Sequence, residues 1–486
     1  MNIELNKIYL WLFSKDDIKK ALLVVFMANI LIKALTFTRS VIFARFLTPE
    51  ELGLFSIAFA GYYLIAPIVM LGAPSVLIRY SYRYFTSGKL GSFYRTVGRM
   101  PLIITIGISL IFCLEAPLIS RLTYGSITYS HLIIIAGITL LPLNIFSFLI
   151  YMFQGMQTFR IKVFLEAIYN IMFFVIGMVF VLRINRADSL LISNLLAYLF
   201  SIIIVGFLFR CFSKKTSLTQ ESSVDKKEIY NTLFHFGIWS VFAEISFNLL
   251  GFFDRWALNK MVSSEAAGIY FVGMGFSNFL FLGVQLLNQV LMPKFSELRD
   301  SDQKNRLQFY LLLITKSSMI IFLVISILLI IFSKVLIPLI YGTNYKGIVF
   351  FINILFLASA YQLLYYFNNM YAMALEKSFH VFSSICTGAL LNIVFNFLLI
   401  PHFGMKGAAM ATAISFFVTA SILSLVNYRK GLPCDIRYIF IFLLPVGLFW
   451  EKYLLWYLVF IILIAWFLFT RQEKNTLTRC TSFFGR

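Results

Sequence analysis

Hydrophobic segments of about 20 residues follow one another along almost the whole chain, separated by short polar breaks. A bilayer core of about 30 Å requires about 20 apolar residues at a rise of about 1.5 Å each, so every segment predicts a membrane-spanning helix. The pattern predicts an all-α membrane protein with about fourteen transmembrane helices. The segments are residues 21–44, 53–78, 100–120, 130–153, 163–182, 189–209, 231–258, 266–292, 311–333, 347–374, 379–400, 407–427, 438–450 and 453–470.

The polar break between the first two segments recurs later in the chain. Residues 45–53 read RFLTPEELG, and at an offset of 215 residues Arg45 corresponds to Lys260, Glu50 to Glu265 and Gly53 to Gly268. Six predicted spans separate equivalent positions, and an even number preserves orientation, so the repeat is parallel. We therefore expect two lobes of six helices around a central cavity, with two extra helices at the C-terminal end.

This repeat defines the predicted domain organisation. The N-terminal lobe is residues 1–212, with spans one to six, and a polar cytoplasmic linker follows at 213–229. The C-terminal lobe is residues 230–430, with spans seven to twelve. Residues 431–486 hold spans thirteen and fourteen and a cytoplasmic tail. The basic stretch 79–99 is predicted to connect the second and third spans on the cytoplasmic side.

Polar residues form a stripe on the first predicted span and a matching stripe on the seventh. Asn29, Lys33, Thr36 and Ser40 follow an i, i+4, i+7, i+11 spacing, and Arg39 stands beside them. A charge at the bilayer centre costs about 2.5–3.5 kcal/mol on insertion scales, so the stripes predict a water-filled cavity that accepts an anion. Snorkelling, or pairing with buried carboxylates, remains an alternative. The predicted cavity residues are Asn29, Lys33, Arg39, Glu244, Asn248, Asp254, Arg255, Gln362 and Asn369.

Composition and charge support the membrane interpretation. Sixty per cent of the residues are hydrophobic and 13% are charged, well below the roughly 25% of soluble domains. The net charge of +20 follows the positive-inside rule: 29 of the 41 basic residues fall on the predicted cytoplasmic side, nine on the other side and three within spans. Both termini are then cytoplasmic. No soluble domain is present to offer a groove, so a nucleic-acid partner is excluded.

Sequence motifs for catalysis are absent. No Walker A or HExxH pattern occurs, and the five cysteines form no CxxC pair, so we expect no bound metal and no cofactor. The predicted outer loops are short, whereas a membrane glycosyltransferase, ligase or polymerase would be expected to carry a sizeable catalytic loop. Glu166 and Asn170, at i and i+4 in the fifth span, are interpreted as helix–helix contacts. The pattern favours a transporter that works by alternating access over an enzyme.

Four segments resemble one family of exporters. They are the 45–55 segment RFLTPEELGLF, residues 254–270 with their Asp-Arg pair and Gly-Ile-Tyr end, residues 293–298, and residues 392–411. Together they are similar to the polysaccharide biosynthesis exporters, the Wzx-type O-antigen flippases of the multidrug, oligosaccharidyl-lipid and polysaccharide exporter superfamily. The resemblance covers nearly the whole chain. Arg39 lies at a position similar to the first-helix arginine of the lipid II flippases, although Ser40 replaces the acidic residue that follows there.

The resemblance implies a flippase that moves an undecaprenyl-diphosphate-linked oligosaccharide from the cytoplasmic to the periplasmic leaflet of the bacterial inner membrane. Lys33, Arg39 and Arg255 would bind the diphosphate, and the amide side chains would bind the sugars. Glu244 and Asp254 would form ion pairs with these basic residues when no substrate is bound. Membrane lipids, a polysaccharide polymerase and a chain-length regulator are the implied partners. A multidrug or cation antiporter of the same superfamily, a lipid II type flippase and a structural scaffold are the alternatives.

Overall fold

The computed structural model describes residues 18–156, 158–213, 226–281, 303–433 and 435–474, with single positions between 283 and 299 and at 476. Within these residues the secondary structure is helical and contains no strand. Ten helices are long and apolar enough to cross a membrane, or eleven if the bent pair Thr343–Phe350 and Ile352–Ala374 is one span. The all-α membrane fold is thus confirmed, whereas the count of fourteen spans stays a prediction.

The chain divides into two compact units, residues 1–268 and 269–486. The helices that start in the first unit are α1 (Ile18–Phe46), α2 (Pro49–Met70), α3 (Ala73–Thr86), α4 (Leu90–Leu114), α5 (Ala116–Tyr124), α6 (Ser130–Gly155), α7 (Phe159–Ile184), α8 (Ala187–Ser213), α9 (Lys226–Met261) and α10 (Ser264–Asn278). In the second unit they are α11 (Lys304–Tyr341), α12 (Ile352–Ala374), α13 (Ser378–Phe403), α14 (Met405–Arg429), α15 (Ile436–Leu443) and α16 (Leu454–Ala465).

Helix α9 packs on α2 and belongs to the first compact unit. The predicted lobes, 1–212 and 230–430, follow the sequence repeat and remain a prediction. Most of the predicted linker, residues 214–225, and part of the resemblance segment at 293–298 lie outside the described residues.

The repeated polar break is the start of a helix in both copies. Thr48 has extended backbone and its side chain accepts a hydrogen bond from the Glu51 N–H at 3.3 Å, with Pro49 as the first residue of α2. This is an N-cap followed by a proline whose missing N–H would be unpaired in any case. Ser263, 215 residues later, accepts from the Ala266 N–H at 3.1 Å just before α10. The two copies therefore use the same capping chemistry.

Two boundaries differ from the sequence expectation. The predicted span 53–78 is divided because Leu71 and Gly72 adopt left-handed backbone, with φ of 46° and 75°, between α2 and α3. Residues 79–99, predicted as a connection, are mostly helical, since α3 extends to Thr86 and α4 begins at Leu90. Basic side chains one turn apart do not end a helix, so these helices continue beyond their apolar cores.

In the second unit, buried polar contacts attach the C-terminal segment. Asn368 of α12 donates to the Tyr438 hydroxyl of α15 at 2.9 Å and accepts from the Asn427 amide at 3.0 Å. Lys316 of α11 lies 3.2 Å from a carboxylate oxygen of Glu473, and both side chains are almost fully buried. The predicted extra helices are thus fixed to this unit by buried polar groups.

Candidate functional site

Arg39 is bound between α1 and α7 by neutral groups. Its Nη1 donates to Oδ1 of Asn170 at 3.1 Å, and its guanidinium carbon lies 4.1 Å from the centre of the Phe173 ring. Thr36, one turn earlier on α1, donates to the same Oδ1 at 3.0 Å. Asn170 is oriented by its own amide, which donates to the Glu166 carbonyl at 2.8 Å. Among the described residues, Arg39 forms no ion pair.

The polar stripe of α1 therefore differs from the predicted one at its last position. Ser40 is exposed and donates to the carbonyl of Phe37 in its own helix at 2.7 Å. Arg39, and not Ser40, continues the polar stripe from Thr36. Residues at i and i+3 lie on the same side of a helix, and Asn170 lies on the side of α1 that Thr36 and Arg39 share.

Tyrosines surround this arginine. The hydroxyl groups within electrostatic range of its guanidinium are those of Tyr62, Tyr63, Tyr169 and Tyr198. Tyr63 and Tyr198 hydrogen-bond to each other at 2.9 Å, and the rings of Tyr169 and Tyr198 stack with centres 4.4 Å apart. The Tyr62 hydroxyl is buried without a hydrogen-bond partner among the described atoms. These four residues are called the tyrosine cluster below.

Helix α9 is hydrogen-bonded to α2 through two of the predicted site residues. The Asn248 amide donates to the Tyr63 carbonyl at 3.0 Å, and Arg255 Nη1 donates to the Ser56 carbonyl at 3.1 Å. The Tyr63 carbonyl needs an outside donor because Pro67, four residues later in α2, has no N–H. Asp254, beside Arg255, is completely buried. Asn248 and Arg255 were predicted to bind substrate, and the structure shows that each uses an N–H donor to hold α9 against α2.

A cavity of about 170 Å³ lies within the first unit, and Glu244, Asn248 and Tyr63 line it. Asn144 and Ser147 of α6 form another part of its wall. The Asn144 amide donates to Thr105 Oγ1 at 2.7 Å, while its Oδ1 is buried without a partner among the described atoms. A buried acceptor left unpaired costs about 1–3 kcal/mol, so this oxygen favours a hydroxyl or water donor in the cavity. Tyr63 connects this cavity to the tyrosine cluster around Arg39.

The remaining predicted residues lie on two helices, α1 and α12. Asn29 is buried on α1, and Lys33 is half-buried there with the Glu166 carboxylate in electrostatic range. Gln362 and Asn369 are half-buried on α12 in the second unit, and the Asn369 Oδ1 has no hydrogen-bond partner among the described atoms. The structure therefore brings Arg39 close to the cavity of Glu244 and Asn248, and it leaves the role of α12 a prediction.

Sequence reasoning missed the tyrosine cluster and assigned Asn170 only to helix contacts. Tyrosines count as apolar in a hydropathy pattern, and these four come from α2, α7 and α8. The adjacent Tyr62-Tyr63 pair, placed between Gly61 and Pro67, was the one local signal. Asn170 and Glu166 were noticed as a polar pair, and the structure adds that the asparagine binds Arg39.

The helical fold is similar to those of solved transporters of the MOP superfamily. The fold is similar to an inward-facing MATE family multidrug resistance transporter of that superfamily, with a TM-score of 0.63 and 15% identity over 83% of this chain and 98% of that one. It is also similar to the lipid II flippase MurJ in an inward closed conformation, with a TM-score of 0.61 and 16% identity over 94% of this chain and 100% of that one.

Sequence comparison gives the family. Residues 42–350 match the polysaccharide biosynthesis protein family, and the chain belongs to it. An uncharacterised membrane protein of Methanocaldococcus jannaschii is 23% identical over 406 residues, covering 78% of this chain and 77% of that protein. The resemblance found in the sequence is thereby confirmed at the level of the family. The similar solved structures are those of a multidrug transporter and a lipid flippase, and the apolar helices of this chain are those of a multi-pass membrane protein.

Proposed function

We propose that the protein is a flippase that moves an undecaprenyl-diphosphate-linked oligosaccharide from the cytoplasmic to the periplasmic leaflet by alternating access. The oligosaccharide is the repeat unit of O-antigen or of another surface polysaccharide. The family and the fold support a flippase or transporter of polysaccharide biosynthesis. The substrate and the direction of transport are what the resemblance to the Wzx-type flippases implies, and the buried Arg39 supports an anionic substrate.

The observation that carries this proposal is the environment of Arg39. A guanidinium has five N–H donors and stays charged, yet its described partners are an amide oxygen, an aromatic ring and neutral hydroxyls. Placing an arginine at such depth is costly, and an anion is the ligand that recovers the cost through charge-assisted hydrogen bonds. A diphosphate offers oxygens that match the planar fork of arginine.

The groups near Arg39 suit the sugar part of the substrate. The tyrosine cluster offers flat apolar rings with polar tips, and the cavity adds Glu244, Asn248 and the unpaired Asn144 oxygen. The cavity of about 170 Å³ is below the roughly 300–1,000 Å³ of typical ligand pockets. It holds a single sugar or phosphate group, so passage of the whole head group requires a more open conformation.

The proposed location is the bacterial inner membrane, with both termini in the cytoplasm. Membrane lipids surround the outer faces of the helices. A polysaccharide polymerase and a chain-length regulator are proposed to act on the translocated repeat unit.

The test is accumulation of lipid-linked repeat units in cells that lack the gene, complemented with wild type, Arg39→Ala or Arg183→Ala. Arg183 is an exposed arginine at the end of α7 and serves as the matched control. We expect wild type and Arg183→Ala to clear the cytoplasmic intermediate and Arg39→Ala to leave it, at equal amounts of protein in the membrane. Full export by Arg39→Ala would refute the role of this arginine. Absence of any accumulation in the deletion would refute the substrate.

A multidrug or cation antiporter is the second candidate, because the Glu244 carboxylate lines the cavity. This hypothesis predicts that deletion of the gene raises sensitivity to cationic dyes and that the Glu244→Gln variant fails to restore resistance. Unchanged surface polysaccharide together with dye sensitivity would favour it. A lipid II type flippase, the third candidate, predicts defects in cell-wall synthesis instead of surface polysaccharide.

A further inference from the structure

A second, larger cavity lies in the first unit, between α4 and α6. It has a volume of about 420 Å³, and the α4 residues Leu102 and Thr105, the α6 residue Phe148 and Met70 at the end of α2 line part of it. We call it the α4–α6 groove. Its lining is mostly apolar, and its charged residues are Arg95 and Arg99, both on α4.

The groove opens toward the bilayer. Leu102, Ile106 and Leu110, at one-turn spacing along α4, are exposed by 44%, 44% and 55%. In a helix that crosses a membrane, exposed apolar side chains of this kind face lipid chains. The material that is available to fill the groove is therefore lipid.

One end of the groove is cationic and unpaired. Arg95 and Arg99 lie one helical turn apart and are both exposed, and neither forms an ion pair within the described part of the chain. Arg95 Nε donates weakly to the Gly91 carbonyl of its own helix at 3.4 Å. The next fifteen residues, 100–114, carry no charge, so the pair stands where the polar part of α4 meets its apolar part. Basic residues at this level attract anionic lipid head groups by about 1 kcal/mol each.

The length of the groove corresponds to one leaflet. Thr105, whose hydroxyl accepts from the Asn144 amide, lies ten residues beyond Arg95, which is a rise of about 15 Å along the helix. That is about half of the roughly 30 Å hydrocarbon core. A phospholipid acyl chain ends at this depth, whereas a long polyprenyl chain would continue past it.

We propose that the α4–α6 groove is a binding site for an anionic diacyl phospholipid of the adjacent leaflet. Its phosphate contacts Arg95 and Arg99, and one acyl chain lies along α4 as far as Thr105. Met70 and Asn144 line both this groove and the cavity of Glu244, so the two spaces are adjacent and the bound chain lies beside that cavity. The proposal does not depend on the transported substrate.

The test measures lipid retention by native mass spectrometry of the full-length protein, purified in mild detergent and mixed with equimolar phosphatidylglycerol and phosphatidylcholine. The variants are Arg95→Gln/Arg99→Gln and, as the control with the same loss of charge, Arg183→Gln/Arg186→Gln at exposed positions near the end of α7. A third variant, Leu102→Trp, fills the groove and keeps both arginines. A competition arm adds undecaprenyl phosphate.

We expect wild type and the control to retain phosphatidylglycerol over phosphatidylcholine by on the order of tenfold. Arg95→Gln/Arg99→Gln should abolish the preference, and Leu102→Trp should lower retention of the bound phosphatidylglycerol. Equal retention of both lipids by wild type would overturn the proposal, as would an equal loss in the control pair. Displacement of phosphatidylglycerol by undecaprenyl phosphate in an Arg95- and Arg99-dependent manner would also overturn it, because the occupant would then be a polyprenyl lipid.

Discussion

Gly53 and Gly268 lie backbone against backbone although 215 residues separate them in the chain. A Cβ on Gly268 would stand 2.8 Å from the backbone nitrogen of Gly53, and a Cβ on Gly53 would stand 3.0 Å from that of Gly268. Each glycine belongs to the first turns of its helix, α2 or α10, and occupies the equivalent position of the repeat. The two helix starts can meet this closely because neither carries a side chain at the contact.

We therefore expect Gly53→Ala and Gly268→Ala to destabilise the protein by about 1–3 kcal/mol each, as overpacking of a close contact does. Gly107→Ala is the control, since a Cβ on this α4 glycine meets nothing within 4 Å and alanine favours the helix. The measurement is the thermal unfolding midpoint in detergent. If all three variants unfold at the wild-type temperature, the contact is not tight.

Asn170→Asp should disable the proposed anion site at Arg39 without unfolding the protein. The new carboxylate would replace the oxygen that Arg39 contacts at 3.1 Å, and the resulting ion pair would neutralise the guanidinium. We expect loss of polysaccharide export at normal protein levels. Asn185→Asp, the same chemical change at the exposed C-terminal end of α7, should export normally. Normal export by Asn170→Asp would contradict an electrostatic role for Arg39.

The contribution of the Asn248 hydrogen bond to the stability of the protein should depend on Pro67. Asn248→Ala leaves the Tyr63 carbonyl without a donor and should cost about 1–3 kcal/mol of stability. With Pro67→Ala, the restored N–H at position 67 can pair with that carbonyl inside α2, so the same Asn248→Ala change should cost less. A double-mutant cycle on unfolding midpoints measures this coupling. Additive effects would show that the asparagine amide does not replace the missing helical bond.

The buried pair Lys316 and Glu473 should behave as a unit. Lys316→Met leaves a buried carboxylate without its partner and is expected to cost about 3–5 kcal/mol. Lys316→Met/Glu473→Gln removes both charges, and glutamine retains an oxygen for the Thr470 N–H that Glu473 now accepts at 2.6 Å. The double variant should recover most of the loss in thermal unfolding. A double variant as unstable as the single one would refute the pairing.

Much of the fold was predictable from hydropathy, and the failures have local causes. The division of the second predicted span at Leu71 and Gly72 was visible as a glycine followed by Pro74, but the apolar residues on both sides outweighed that signal. The early start of α4 was hidden because its first three turns carry the arginines Arg95 and Arg99. Hydropathy identifies the part of a helix in lipid, whereas its ends depend on backbone geometry.

The site was predictable in part. A lone arginine in an apolar helix is costly wherever it occurs, so Arg39 was evident from sequence. Its partner Asn170 and the tyrosine cluster were not, because residues of α1, α2, α7 and α8 meet only through tertiary packing. Asn248 was identified as polar and internal, but its bond to Tyr63 depends on Pro67 in a different helix.

The shared capping of Thr48 and Ser263 bears on how the two copies of the sequence repeat differ. Both copies kept a hydroxyl cap, an acid in the first turn and a glycine at the contact, whereas the buried position held by Arg39 in one copy holds Asp254 in the other. The unpaired N–H groups at the start of a helix limit which side chains can cap it, whereas the position held by Arg39 and Asp254 has no such limit. The same way of starting a helix thus occurs at two places in the chain, and opposite charges at one equivalent position make the two places chemically distinct.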